Sequence, residues 1–216
     1  MKDFGLSGKI KDLTRKKQLV LSKSMISKFP IVIVASPRTG SSAYCRYLSS
    51  VYNMDGWIEP ADDAIKFAKF KNYLNDTGSN YVLKIMAQHI ETNPTYQSIL
   101  SNDCYKIKLT RENKLEQIVS HYVGWTTKIW NSDDKFARGE KYIVEIDKQE
   151  INNIILDHIR YEKSFDQLDI KFDEEHTYEE LLTTVDLNKS TIAKIVPPTN
   201  YNLLKRVIEQ EYDKYR

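Results

Sequence analysis

The sequence predicts an α/β domain whose central, mainly parallel sheet is flanked by helices. Three observations predict it. Phe29–Ala35 is an apolar, β-branched run with no polar alternation, as expected of a strand buried on both faces. Two further short runs, Tyr81–Met86 and Tyr105–Thr110, read as strands, and segments with apolar residues at helical spacing lie between them. The chain has 216 residues, enough to bury a sizeable core within one ordinary domain.

The elements follow in order. Residues 1–28 read as a basic appendage, with one helix expected over Ile10–Ser24. Within Lys9–Lys28, Lys9, Lys11, Arg15, Lys16, Lys17, Lys23 and Lys28 oppose Asp12 alone, a pattern that suits a solvated helix or tail. The domain proper is expected over 29–216. After the first strand, Ser42–Val51 continues as a helix and Tyr52–Pro60 reads as a loop. Asp63–Tyr73 is amphipathic, with Ile65, Phe67, Ala68 and Phe70 on its apolar side. Asn75-Asp76-Thr77-Gly78-Ser79-Asn80 is a turn cluster. Tyr81–Met86 is the second strand, with Lys84 inside it. Asn93-Pro94 opens a short helix through Leu100, and Tyr105–Thr110 is the third strand. Asn113–Val123 is helical, with Leu115, Ile118, Val119 and Tyr122 at helical spacing. Ser132–Glu140 is polar and reads as a mobile loop. Ile151–Phe165 is a long helix, Ile170–Phe172 a last strand, and Tyr178–Thr183 another helix. Pro197-Pro198 breaks the chain before a C-terminal helix, Leu203–Tyr212.

Composition narrows the function. A net charge of +2 argues against a general nucleic-acid coat. Cys45 and Cys104 lack metal-ligand spacing and read as free buried thiols, which suits a reducing compartment. His89, His121, His158 and His176 are scattered, so no metal is expected. No apolar run is long enough to span a membrane, and the N-terminus does not read as a secretory signal. The expected location is cytoplasmic.

The chemistry concentrates in Ser36-Pro37-Arg38-Thr39-Gly40-Ser41-Ser42, directly after the first strand and at a helix start. Such a turn gathers backbone N–H groups and hydroxyls where an anion is favoured. Arg38 adds a fixed positive fork for oxyanions, and Gly40 permits close backbone approach. The bland alternative is an ordinary β–α turn with a capping serine. The loop is not a Walker A motif, because no lysine follows Gly40. A second constellation is Leu109-Thr110-Arg111 followed by Gln117-Ile118-Val119-Ser120-His121-Tyr122. Arg111 ends a strand, and Ser120 lies nine residues on within the next helix. An arginine and a serine so placed can hold a phosphate. Both constellations follow strands of a parallel sheet and so point to one sheet edge, where ligands bind in such folds.

Together the two resemble the phosphate-binding elements of sulfotransferases that use 3′-phosphoadenosine 5′-phosphosulfate (PAPS). Pro37-Arg38-Thr39-Gly40-Ser41-Ser42 is similar to that family's 5′-phosphosulfate loop, and Leu109–Tyr122 to its 3′-phosphate element. The nearest likeness is to the bacterial trehalose and Nod-factor (carbohydrate) branch. His176-Thr177-Tyr178-Glu179-Glu180-Leu181 is similar to a late segment of these enzymes, so the resemblance spans about Phe29 to Leu182.

The resemblance implies a P-loop NTPase-like sulfotransferase fold and metal-independent, in-line sulfuryl transfer from PAPS to a hydroxyl of a carbohydrate or small molecule. It implies donor binding by Arg38, Thr39, Gly40, Ser41, Ser42, Arg111 and Ser120, with Tyr178 the one adenine candidate. Arg38 would stabilise charge on the leaving phosphate. Glu59, in Gly56-Trp57-Ile58-Glu59-Pro60, matches the general base of the trehalose-type enzymes, and burial beside Trp57 would raise its pKa. His89 is the rival base, while His121 is expected to face away from Ser120.

The sequence also departs from the family. Lys84-Ile85-Met86 stands where the cytosolic branch has Lys-x-His, and no glycine-rich adenosine segment is recognisable. The missing histidine keeps open an inactive nucleotide- or phosphate-binding module on the same fold. A P-loop kinase is a third reading, disfavoured by the absent Walker lysine. Trp57, Tyr122, Trp125 and Trp130 could line an acceptor pocket. Tyr122, Trp125 and Trp130 suit helical core packing or a homodimer surface better.

Overall fold

Ile31–Ala35 forms strand β1, and all five of its residues are buried. Its odd-numbered side chains pack into one apolar cluster and its even-numbered ones into another, so the strand lies between two layers. A strand covered on both faces has no use for polar alternation, which is why the run reads continuously apolar. The computed structural model describes residues 30–76, 80–130, 142–185 and 197–216. The expected basic appendage (1–28), the tip of the 75–80 turn and the polar loop 132–140 lie outside the described residues.

Chain order runs β1, α1 (Ser41–Tyr52), β2 (Asp55–Ile58), α2 (Ala64–Asp76), β3 (Tyr81–Met86), α3 (Pro94–Ser101), β4 (Tyr105–Thr110), α4 (Lys114–Thr127), α5 (Lys148–Gln167), β5 (Glu174–Thr177), α6 (Tyr178–Thr184) and α7 (Tyr201–Tyr212). The five strands form one sheet in the order β2-β3-β1-β4-β5. Every pairing is parallel, with Ile33 opposite Lys84 on one side and Ile107 on the other. Because β1 is central and both its neighbours arrive by crossovers, all five carboxyl ends share one edge.

One layer packs Tyr44, Cys45 and Leu48 of α1 and Leu181 of α6 against Ile31, Ile33, Val82, Ile107 and Leu109. The other packs Phe70, Tyr96, Ile99 and Phe165 of α2, α3 and α5 against Val32, Val34, Leu83 and Ile85. A third cluster joins α4, α5 and α7 through Ile118, Tyr122, Ile151, Ile155, Leu204 and Ile208. Truncating a residue such as Ile33 to alanine would cost roughly 2–5 kcal/mol through lost burial and the cavity left behind. The helices start where side chains satisfy their first N–H groups. Asn93 caps α3, Asn113 caps α4 and Asp147 caps α5, while Thr177 and Glu180 form a reciprocal box at α6.

Two expectations at the sheet edges need correction. Asp55–Ile58, read as part of a loop, is strand β2. The last strand is Glu174–Thr177 rather than Ile170–Phe172. Edge strands are covered on one flank, so their residues need not be apolar. Asp55 and Gly56 of β2 are exposed, and β5 reads Glu-Glu-His-Thr with no fully buried residue. Ile170 and Phe172 instead pack from outside the sheet against the α2–α3–α5 layer. On α2 only Phe70 is fully buried, and Ile65 is exposed. Cys45 and Cys104 are buried free thiols, as expected. Among the described residues no helix is long and apolar enough to cross a membrane.

Candidate active site

All five strands deliver residues to the shared carboxyl edge, and there a groove of roughly 1140 Å³ opens. After β1 come Arg38, Gly40, Ser41 and Ser42. After β2 comes Glu59, after β3 Gln88 and His89, after β4 Arg111 and Ser120, and after β5 Tyr178. A parallel sheet makes this convergence, since each crossover returns the chain to the same end.

The loop after β1 is backbone-strained and tied from three sides. Arg38 adopts φ 62° and Gly40 φ 73°. The left-handed region costs a non-glycine residue about 1–2 kcal/mol, so the fold must hold Arg38 there. Thr39 Oγ1 donates to Ser36 O at 3.0 Å, and Gln117 Nε2 donates to Ser36 Oγ at 3.0 Å and Pro37 O at 2.6 Å. Arg111 Nη1 donates to Arg38 O at 3.2 Å. The result aims the Arg38 guanidinium at Ser120, on the helix after β4. Its Nε donates to Ser120 Oγ at 2.9 Å and its Nη1 to Trp130 O at 3.0 Å. Burial and repulsion from Arg111 hold Arg38 below its usual value, with Tyr178 opposing. An arginine stays charged regardless. Helix α1 begins at Gly40 without a side-chain cap, so its first N–H groups are not spent on a capping serine.

Arg111 stands beside this loop. Its Nε is buried without a hydrogen-bond partner among the described residues and lies 3.8 Å from Glu179 Oε1. The ring of Tyr178 covers its guanidinium at 4.6 Å. Glu179 also accepts from Glu112 N at 3.0 Å and Asn113 N at 3.3 Å, which docks α6 onto the start of α4. Those N–H contacts and Arg111 outweigh burial and hold the Glu179 carboxyl below the usual range. A Cβ on Gly40 would lie 2.7 Å from a Tyr178 ring carbon, so tyrosine and glycine fit only as a pair.

The opposite end of the groove carries mixed charge. Glu59 sits just past β2 at φ 45°, the second non-glycine site residue in the left-handed region. Its carboxyl group pairs with the Lys84 side-chain nitrogen. Lys84 is 3% exposed, on the β3 face toward α1. Beside this pair, His89 Nδ1 lies 3.4 Å from Asp62 Oδ1. Burial raises the Asp62 carboxyl, opposed by His89 and Lys66.

Of the predicted site residues, Arg38, Gly40, Ser41, Ser42, Glu59, His89, Arg111, Ser120 and Tyr178 all line the one groove. Thr39 does not: it is fully buried, and its hydroxyl braces the loop. Trp57 is not beside a free Glu59 either; its ring packs on Phe70 and Tyr73 at 5.2 and 5.4 Å. Glu59 therefore takes its environment from Lys84. Tyr122 is core, its hydroxyl bonded to Glu145 O at 2.8 Å, while Trp125 is exposed and Trp130 lines the groove.

His121 was expected to face away from Ser120. It lines the groove, with its ring against Trp130 and its Nδ1 3.0 Å from His158 Nε2. Burial, aided by Arg38, draws His121 down to about 4. Burial, His121 and Lys114 draw His158 to about 3. The pair is neutral at ordinary pH. Sequence reasoning also passed over Lys84, Tyr142 and Tyr161 as groove residues. Lys84 alone left a signal, a lone charge within an otherwise apolar strand.

One end of the groove can thus hold an anion between two guanidinium groups, two serine hydroxyls and a helix start. The other can take up a proton. Among the described residues no cluster of three or more His, Cys, Asp and Glu side chains could hold a metal ion. No family model matches the chain, and no curated protein matches it.

Proposed function

We propose that this protein is a sulfotransferase, moving the sulfuryl group of PAPS to a hydroxyl of a carbohydrate or small-molecule acceptor. The observation that carries the reading is the bridge from Arg38 to Ser120. It joins the loop after β1 to the element after β4, with Arg111 bonded to the same loop. Two adjoining cationic positions on one groove suit a ligand with phosphate groups at both its 3′ and 5′ positions. The groove-lining Arg38 and Arg111 and the uncapped start of α1 at Ser41 and Ser42 are what such a ligand would engage. The strand order β2-β3-β1-β4-β5 and the missing Walker lysine also support a P-loop-like fold turned to another donor than ATP.

In this reading Arg38 and the first N–H groups of α1 stabilise charge on the leaving phosphate. Arg111 and Ser120 hold the 3′-phosphate. Tyr178 stacks beside the nucleoside. Glu59 takes the acceptor's proton, with His89, oriented by Asp62, as the rival. The buried free thiols fit a cytoplasmic enzyme.

Adenosine 3′,5′-bisphosphate should raise the melting temperature by mass action, and ATP with magnesium should not. No shift from the bisphosphate would sink the reading. A second reading, a binding module that no longer transfers, is favoured by Met86 standing where a Lys-x-His strand end has histidine. It predicts the same thermal shift but no transfer from radiolabelled PAPS across a panel of hydroxyl acceptors.

A further inference from the structure

The Lys84–Glu59 contact raises a chemical problem for a base. A carboxylate locked against an ammonium is a poor proton acceptor. Taking the acceptor's proton would leave a net positive pair in a groove that already holds Arg38. Yet the two residues are joined twice: the side chains pair, and Glu59 N donates to Lys84 O at 2.9 Å. Beyond Glu59, the Lys84 ammonium contacts only the Met86 sulfur, at 3.1 Å, among the described side chains. A thioether is a weak acceptor, so a fully buried ammonium is badly solvated here.

We propose, resting on the sulfotransferase reading, that Glu59 and Lys84 act as one proton-accepting pair in which the Lys84 amine is the final holder of the acceptor's proton. The pair starts as amine and carboxylate. The acceptor O–H bond breaks and its electron pair forms the new O–S bond. The bond from sulfur to the bridging oxygen breaks, its pair leaving with the phosphate. The proton passes through the Glu59 carboxylate to Lys84 Nζ. The step ends in a neutral ion pair, and the ammonium returns its proton to water after product leaves. Burial supports this by drawing Lys84 down to about 7, with Cys45 opposing and Arg38 adding to the fall. The groups facing Lys84 are Cys45 from α1, Arg38 from the loop after β1, Glu59 after β2 and Met86 on its own strand. Lys84 is a positioning and proton-storing residue that acts through Glu59.

The test is a pH titration of the full chain with isotope-labelled lysine, read by NMR from about pH 5 to about pH 10. One lysine signal should titrate at least about two pH units below the exposed lysines. E59Q should move that midpoint lower still, which identifies the signal without any Lys84 variant. In transfer assays kcat/KM should rise with pH through the same midpoint. K84R, whose guanidinium cannot give up its proton, and K84M should both lose that limb and about 100-fold in kcat. Neither should change the thermal shift with the bisphosphate. Lys84 remaining an ammonium through about pH 9, or K84R keeping the wild-type pH profile, overturns the proposal. Failure of the bisphosphate to bind removes the donor reading, and the proposal with it, by a measurement in which Lys84 takes no part.

Discussion

The two ends of the groove solve opposite electrostatic problems. At one end two like charges lie close, Arg111 donating to the backbone carbonyl of Arg38 and repelling its guanidinium, and an anion bound between them would relieve that repulsion. At the other end Glu59 faces Lys84 and Asp62 faces His89, so each carboxyl group has a proton-binding partner within the protein. In the proposed reading a ligand completes the first end, while the second is paired within the protein and shifts protons. If the sulfotransferase proposal holds, the contrast places donor binding and proton transfer at different positions along one sheet edge, with Arg38 serving both binding and the leaving group. Donor affinity should follow the first end, and turnover the second.

That separation can be broken by substitution. The largest effect is expected at Arg38, which belongs to both functions. Arg38→Ala should lower transfer from radiolabelled PAPS by about 1000-fold, since it removes charge stabilisation of the leaving group. Glu59→Gln should lower kcat by about 100-fold while leaving bisphosphate affinity unchanged, as measured by calorimetry. A matching loss of affinity would show that the two ends are not separate. Arg111→Ala should do the reverse, weakening bisphosphate binding by about 10–100-fold, the worth of charge-assisted hydrogen bonds.

Smaller effects sharpen the picture of how the anion end is built. Gly40→Ala should lower stability by about 1–2 kcal/mol from its left-handed φ alone, and its Cβ would press on Tyr178. Adding Tyr178→Ala should relieve the clash and leave the backbone strain, readable as partial recovery of the melting temperature. A pH-dependent effect concerns the histidines behind Arg38. His121 and His158 are depressed from 6.5 to about 4 and about 3. Between those values and 6.5 the unfolded chain binds more protons than the native one. Stability is therefore lost as pH falls through that window, with a slope of about 1.4 kcal/mol per pH unit for each group. His158→Phe should flatten that slope, as followed by melting temperature against pH.

The buried centre of the fold was legible because its rule is local. Ile31–Ala35 is apolar on both faces, Asn93 and Asn113 cap their helices, and Pro37–Ser42 follows a strand at a helix start. The edges were not legible. Asp55–Ile58 and Glu174–Thr177 are strands through their hydrogen bonding to β3 and β4, with no apolar pattern to announce it. The site divided likewise. Arg38 and Arg111 stand just past recognisable strands, and Ser120 on a recognisable helix. The left-handed backbone at Arg38 and Glu59, the bracing of the loop by Gln117, and the inward turn of His121 leave no mark on the sequence.

By itself the sequence determined that this is an α/β chain with a Pro-Arg-Thr-Gly-Ser-Ser turn between its first strand and a helix start. Periodicity and turn chemistry act over a few residues, so a linear reading captures them. Only the tertiary structure decided that Lys84 meets Glu59, that Arg38 meets Ser120 and that Tyr178 closes over Gly40. Those pairs lie on different strands and helices. The parallel sheet brings them together because every crossover returns to the same edge, and that geometry is a property of the whole chain.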